Sequence, residues 1–592
     1  MKTFFKNSLT VVVGIFIYTT IMGILGGIFM IIVIAAASSG DKVEVKNNSI
    51  LHVELNLPIE DRASDNFMEN LDFMSMSQEE YIGLNDILKS IKKAETDDRI
   101  KGIYLELTEI QAGMPAVEEI RNAIIKFKES GKFVVAYANY YSHKSYYLSS
   151  VADKIYMTPS GHFTFTGFSI QSMFFKNALD KMGVKAQIIR HGKFKSAVEP
   201  FILEEMSDAN RKQMETYLFA VWNDFAEKIS LSRGISTNDL NRYADSLEIS
   251  SSQSSVDKKL VDALMYQDEI TKELKSRVEI SSNKKLRLVK LSSYIDALSD
   301  EKINVNNDED KIAIIYAIGE IGMGEGSTYE IGSDGMSKAI RKARKDSSVK
   351  AIVLRIDSPG GSALASEIIW REVVLAKEVK PVVVSMGQYA ASGGYYIACP
   401  ADKIIASPNT LTGSIGVFGM YPNVQDLLNN KIGINVSTVK TNEYSDMPAF
   451  TRPLSQTEKD YLQLFVEDIY GVFIEHVAEG RNMTVAQVDS IGQGRIWSGI
   501  NAIEIGLVDE LGGLDRAIEV AEELANVSDY QIIELPKIKD TFEQILEGFS
   551  TKMETMVMKK TLGQSYEYYM QLNEISKMQG VQARMMFNID IN

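Results

Sequence analysis

The apolar positions of this chain fall into two regimes. Leu9–Ala37 is almost wholly apolar, and no charged residue occurs between Asn7 and Gly40. At about 1.5 Å of rise per residue, a helix of that length crosses a hydrocarbon core of about 30 Å. It is also longer than the roughly 7–15 residue apolar segment of a cleaved secretory signal. An uncleaved transmembrane anchor is therefore expected over 9–37, with cleavage at Ala35-Ala36-Ala37 as the alternative. Lys2 and Lys6 precede the span and charges of both signs follow it. This bias places residues 1–8 in the cytoplasm and the rest of the chain on the extracytoplasmic side of the cell membrane.

Beyond residue 40 the pattern becomes short. β-rich runs (Ile103–Leu107, Phe133–Ala136; Ala351–Ile356, Val382–Met386) alternate with helical stretches (Ala116–Lys128; Ala363–Lys377). Such alternation predicts βαβ units and a parallel sheet covered by helices. The pattern also repeats. Ile100–Leu107 matches Val349–Ile356 249 positions later, as Val151–Ile155 matches Pro400–Ile404. Ser207 and Arg233 find counterparts in Ser455 and Arg481, and Leu260-Val261-Asp262 in Leu507-Val508-Asp509. That period is far too long for a solenoid unit, so a duplicated domain is expected: a first copy over 50–298, a polar linker over 299–310, a second copy over 311–540, and a helical tail over 541–592.

Composition narrows the chemistry. The chain has 592 residues, 45% of them apolar and 24% charged, which is globular and too long for one core. A net charge of −16 argues against nucleic acid as a partner. A single cysteine, Cys399, excludes an internal disulfide or a cysteine metal cluster, and a small buried role is expected for it. Five histidines offer little material for a metal cage or a His-based triad, and no metal or cofactor is expected.

A duplicated domain keeps its core in both copies, so positions that diverge point to chemistry. Asp357-Ser-Pro-Gly-Gly361 follows a strand in the second copy, where the first has Thr108-Glu-Ile-Gln-Ala112. The second copy also carries Tyr389-Ala-Ala-Ser392-Gly-Gly394-Tyr-Tyr396, a strand-to-helix turn of small residues. His143 stands opposite Ser392. Glycines beside a serine let a substrate backbone approach closely, although the same residues also fit ordinary turn chemistry. The reverse asymmetry lies at His191-Gly-Lys-Phe-Lys195-Ser-Ala-Val-Glu-Pro-Phe201, where the second copy has Ser445 opposite Lys195. One copy thus holds a candidate nucleophile and the other a candidate base. An alcohol needs a positioned base, and no histidine lies between His191 and His476. A Ser392–Lys195 dyad is the economical alternative, provided that burial lowers the lysine pKa enough to leave the amine neutral.

Together with Leu411-Thr-Gly-Ser-Ile-Gly-Val417, Gly494-Arg-Ile-Trp-Ser-Gly499 and Gly506-Leu-Val-Asp509, these motifs resemble the long, duplicated (67K) signal peptide peptidases of peptidase family S49. The resemblance runs over nearly the whole chain and is least secure in the tail. It implies a crotonase/ClpP-like α/β fold, a membrane-anchored serine endopeptidase, and a homotetrameric bowl with the active sites inside. It further implies remnant signal peptides as substrates, Ser392 as nucleophile, Lys195 as general base, Gly361 and Gly393 as oxyanion-hole donors, and Ser414 as the hydroxyl that orients the lysine. Two rival readings are an acyl-CoA enzyme on the same fold and a non-catalytic membrane scaffold assembled through the tail. Gly322-Met-Gly-Glu-Gly326 lacks the spacing of a nucleotide loop and is expected to be a flexible connection.

Overall fold

The computed structural model describes residues 45–62, 71–72, 77–78, 81–299, 309–537 and 581–585, with a few positions between 14 and 22. The expected anchor at 9–37, most of the linker at 299–310 and most of the tail at 541–592 lie outside the described residues. Among the described residues, no helix is long and apolar enough to cross a membrane.

Two parallel sheets carry the fold. The first has six strands in the order Ala263–Leu264, Lys154–Phe163, Phe133–Tyr141, Ile100–Glu106, Ser49–Val53, Leu288–Lys290. Every pairing in it is parallel. The second repeats this order strand for strand with Glu510–Leu511, Lys403–Ala406, Val382–Ala391, Val349–Ser358, Lys311–Ile318 and Gln531–Leu535. It adds Leu411–Gly413 and Ile496–Ser498, which pair antiparallel with each other at one edge. Parallel sheets are buried on both faces, which is why these strands are almost continuously apolar. Val382–Ala391, for example, has nine of its ten residues buried. Helices Ala363–Lys377 and Leu514–Ala525 contribute buried faces on the two sides.

The two repeats are tied by a buried ionic cluster. Arg355, from the second sheet, is 1% exposed. It donates to both carboxylate oxygens of Asp61 (2.9 and 2.7 Å), to Glu119 Oε1 (2.8 Å) and to Ser385 Oγ (2.9 Å). Glu119 Oε2 in turn accepts from the Leu514 amide at 2.7 Å, so one carboxylate of the first repeat holds a side chain and a helix start of the second. Desolvation pushes the Glu119 carboxyl above its usual range, and the charge of Arg355 works against that rise.

A third sheet is shared by the repeats and has no counterpart in the repeat pattern. Its seven strands run Gly326–Ser327, Glu330–Gly332, Glu320–Gly322, Gly360–Ser362, Val581–Arg584, Phe418–Asn423, Lys185–Arg190. Lys185–Arg190 of the first repeat is antiparallel to Phe418–Asn423 of the second, in register from Arg190↔Phe418 to Lys185↔Asn423. Val581–Arg584 departs from the expected helical tail. Its backbone bonds on both sides to strands of the second repeat, and Val581 and Ala583 enter the main core. The Gly322–Gly326 segment is a short connection between two strands of this sheet.

Candidate active site

Ser392 ends the strand Val382–Ala391 and opens the short helix Gly393–Ala398. Its backbone sits at φ 56°, ψ −113°, outside the regions that non-glycine residues favour. Such strain costs on the order of 1–3 kcal/mol and persists only where the surroundings enforce it. Here they do: the Ser392 amide donates to Gly413 O at 2.8 Å, and the strand behind it is buried.

Lys195 arrives from the first repeat, on the loop that follows the shared strand Lys185–Arg190. Its Nζ lies 2.7 Å from Ser392 Oγ, 2.9 Å from Ser414 Oγ and 3.1 Å from Ser414 O. The side chain is 1% exposed, and burial alone drives its pKa well below the ordinary lysine value. A neutral amine has two N–H groups and one lone pair. The two Ser414 oxygens accept the hydrogens, which leaves the lone pair for the Ser392 hydroxyl.

The lysine loop is held by residues that sequence reasoning missed. Buried Gln213 donates to Phe194 O at 3.2 Å and Ser196 Oγ at 2.9 Å, while its Oε1 accepts from the Ile496 amide at 3.2 Å. It thus ties the lysine loop to an edge strand of the second sheet. Arg190 caps Lys195 O at 3.2 Å, and the Phe194 amide donates to Gln493 O at 3.0 Å. Gly494 has φ +82°, and a Cβ there would lie 2.6 Å from the backbone of Lys195, so the approach of the loop requires glycine. A motif containing Gly494 is visible in the sequence, but nothing there pairs it with Lys195.

The residues opposite Ser392 and Lys195 in the other copy make no comparable contact. His143 is a core side chain packed among Phe165, Phe168 and Phe225; its Nε2 accepts from the Thr166 amide, and burial lowers its pKa to about 4. Ser445 is exposed and bonds to Asn442 O. Among the described residues, His52, Glu54 and Glu106 form a carboxylate–histidine group, in which His52 Nε2 already pairs with Glu106 at 2.8 Å. Cys399 is fully buried against Tyr396 O at 3.2 Å, and desolvation raises its thiol pKa far above the ordinary value.

Gly361 and Gly393 flank the serine from two sides. A Cβ on Gly361 would fall 2.0 Å from Ile321 O, and one on Gly393 would fall 2.7 Å from Ser366 Oγ. Just upstream, Asp357 Oδ1 accepts from the Tyr389 amide at 2.9 Å and fixes the turn. Its carboxyl is pushed up to about 7, first by desolvation and then by the charge of Asp61. The chain's own strand Val581–Arg584 lies across this site. The Met585 amide donates to Pro359 O at 2.8 Å, and the register pairs Gly361 with Ala583. Hydrogen-bonded pairs recur at every second residue of an antiparallel ladder, so Gly361 and Ala583 form the next such pair. The Gly361 N–H therefore points at the Ala583 carbonyl. Its oxygen also lies 3.0 Å from the position of a Cβ on Gly393.

The site thus holds an alcohol, a desolvated amine and nearby glycine-rich backbone, which are the components of acyl transfer. Gly361→Ala tests the backbone donor. The added methyl must displace the Gly361 backbone from Ile321, and kcat for peptide hydrolysis is expected to fall about 10²–10³-fold with KM nearly unchanged, as read by steady-state kinetics.

Comparisons with known proteins give the family. The model of "Peptidase family S49" matches the chain twice, over residues 126–281 and 375–528. Protease 4 of Haemophilus influenzae is 38% identical over 520 residues, covering 85% of this chain and 83% of that protein. Protease 4 of Salmonella typhi is 37% identical over 486 residues, with coverages of 80% and 77%. The chloroplastic serine protease SPPA of Arabidopsis thaliana is 32% identical over 549 residues, with coverages of 91% and 78%. With the family pattern present once in each repeat and these relatives matching most of its length, the chain belongs to peptidase family S49 and is a serine protease.

Proposed function

We propose that this protease works through a Ser392–Lys195 dyad assembled from both repeats. The observation that carries the reading is the 2.7 Å approach of a desolvated lysine amine to a strained, buried serine hydroxyl. Neutral Lys195 takes the Ser392 proton as Oγ attacks a peptide carbonyl. The N–H groups of Gly361 and Gly393 receive the developing oxyanion, and Ser414 holds the amine in line. The resulting ammonium protonates the departing amine, leaving an acyl-enzyme. Water, deprotonated by the same lysine, then attacks the ester and restores Ser392.

The proposal extends to setting and substrate. Residues 9–37 anchor the protein in the cell membrane, the body stands on the extracytoplasmic side as a homotetramer, and its substrates are remnant signal peptides and similar apolar segments. The long apolar run near the N-terminus and the Protease 4 relatives support this reading. A fluorophosphonate probe tests the chemistry. The full chain is expected to be labelled at Ser392 and to cleave a quenched apolar peptide, and Ser392→Ala to do neither. Cleavage retained by Ser392→Ala, or labelling at another serine, would overturn the dyad. Hydrolysis of acyl-CoA thioesters without peptide cleavage would favour the acyl-CoA enzyme.

A further inference from the structure

The strand Val581–Arg584 shows how a peptide lies in this site. It is antiparallel to Gly360–Ser362 on one side and to Phe418–Gly419 on the other, as an added strand would be. The Ala583 carbonyl faces the Gly361 N–H beside Gly393, so on the reading that these glycines receive the oxyanion, Ala583 corresponds to the acyl residue and Ala583–Arg584 to the bond that Ser392 attacks. Arg584 is then the first residue on the leaving side. Its Nη1 lies 2.6 Å from Glu320 Oε1, and the two side chains are 14% and 34% exposed. Glu320 stands on the strand beyond Gly360–Ser362, and Glu330 is its register partner one strand further out. Register partners project from the same face of a sheet, so Glu320 reaches Arg584 across the side-chain-free Gly360 and is the carboxylate that meets the leaving side.

We infer that Glu320 is a specificity-determining residue that selects a basic side chain immediately after the scissile bond, so that the favoured substrates carry a small residue followed by arginine or lysine. This inference rests on the dyad reading for the identity of the bond cleaved. A carboxylate hydrogen-bonded to a guanidinium recognises both charge and geometry, whereas glutamine keeps the shape and loses the charge. Partial exposure screens the pair, so the discrimination is about tenfold rather than the larger factor of a fully buried pair.

The experiment uses the full chain and quenched peptides containing Val-Gln-Ala-X-Met, with X as Arg, Gln or Glu, and products identified by mass. The wild type is expected to cut between Ala and X, with kcat/KM about tenfold higher for X = Arg than for X = Gln, and lowest for X = Glu. Glu320→Gln should bring the Arg and Gln peptides together, and Glu320→Lys should invert the order in favour of Glu. The chain's own strand competes with every peptide equally, so these ratios do not depend on how often it vacates the cleft. Equal wild-type rates for all three peptides, an arginine preference that survives Glu320→Gln, or cleavage at another bond would overturn the inference while leaving the protease intact. Binding of the same peptides, labelled, to the Ser392→Ala protein reads the preference without chemistry. Tighter binding for X = Arg that disappears in the Ser392→Ala, Glu320→Gln double variant supports the inference even if the dyad reading fails, and equal binding counts against it.

Discussion

Lys195→Met is expected to lower kcat for peptide hydrolysis by on the order of 10⁴-fold or more, since removing the base of a serine nucleophile has effects of that size in other proteases. Methionine keeps the length and apolar character of the buried stem, so the fold stays and the base goes. The wild type carries its own pH signature. In the proposed dyad the catalytic form is the neutral amine, and burial depresses the Lys195 pKa well below its ordinary value of 10.5. Rates should therefore rise with pH through that lowered pKa and level off well before 10.5. A profile that keeps rising to pH 10.5, or falls across the neutral range, would contradict a desolvated lysine base. Stability should move in the same sense. In the unfolded chain Lys195 binds a proton below about pH 10.4, and in the folded one it has released it, so the unfolded state holds more protons and wild-type stability rises with pH across the gap. Lys195→Met has no such proton to lose. Its melting temperature relative to the wild type should be highest near neutral pH and decline toward pH 10, while its activity is absent throughout.

The second large effect lies away from the dyad. Arg355→Met is expected to destabilise the protein by about 3–5 kcal/mol, because it leaves Asp61 and Glu119 buried without their countercharge. The loss should be partly relieved as pH falls, since the Glu119 carboxyl, whose pKa burial raises, takes up a proton and sheds the charge that costs stability. Denaturant unfolding of Arg355→Met at neutral and mildly acidic pH reads both effects. Adding Asp61→Asn and Glu119→Gln to Arg355→Met should recover most of the loss; an Arg355→Met protein as stable as wild type would show that the cluster contributes nothing.

The two sheets were legible because duplication writes itself into side chains: matched apolar runs such as Ile100–Leu107 and Val349–Ile356 became strands in the same place of the same order. Ser392 and Lys195 were legible for the opposite reason, as the positions where the copies disagree. Arg355, Asp61 and Glu119 were not, because charged residues in isolation look like surface and their burial follows only from the docking of the repeats. The shared sheet was equally hidden. Ladder bonds are made by backbone groups, so the pairing of Lys185–Arg190 with Phe418–Asn423 leaves no side-chain pattern in either strand. The four residues Val581–Arg584 were read with a helical tail because their strand is completed only by partners far away in sequence.

With Lys195 carried on the loop behind a strand of one repeat that is hydrogen-bonded into a sheet of the other, the proposed dyad makes catalytic competence a late product of folding. Lys195 lies 197 residues before Ser392, and the sheet that brings it there closes only after Phe418–Asn423 has been synthesised and both repeats have formed. Contacts so distant along the chain form slowly. Until they do, Lys195 is solvated and protonated and Ser392 is an ordinary alcohol. On the dyad reading, the nascent chain therefore carries no hydrolytic site of its own while most of its peptide bonds are still exposed.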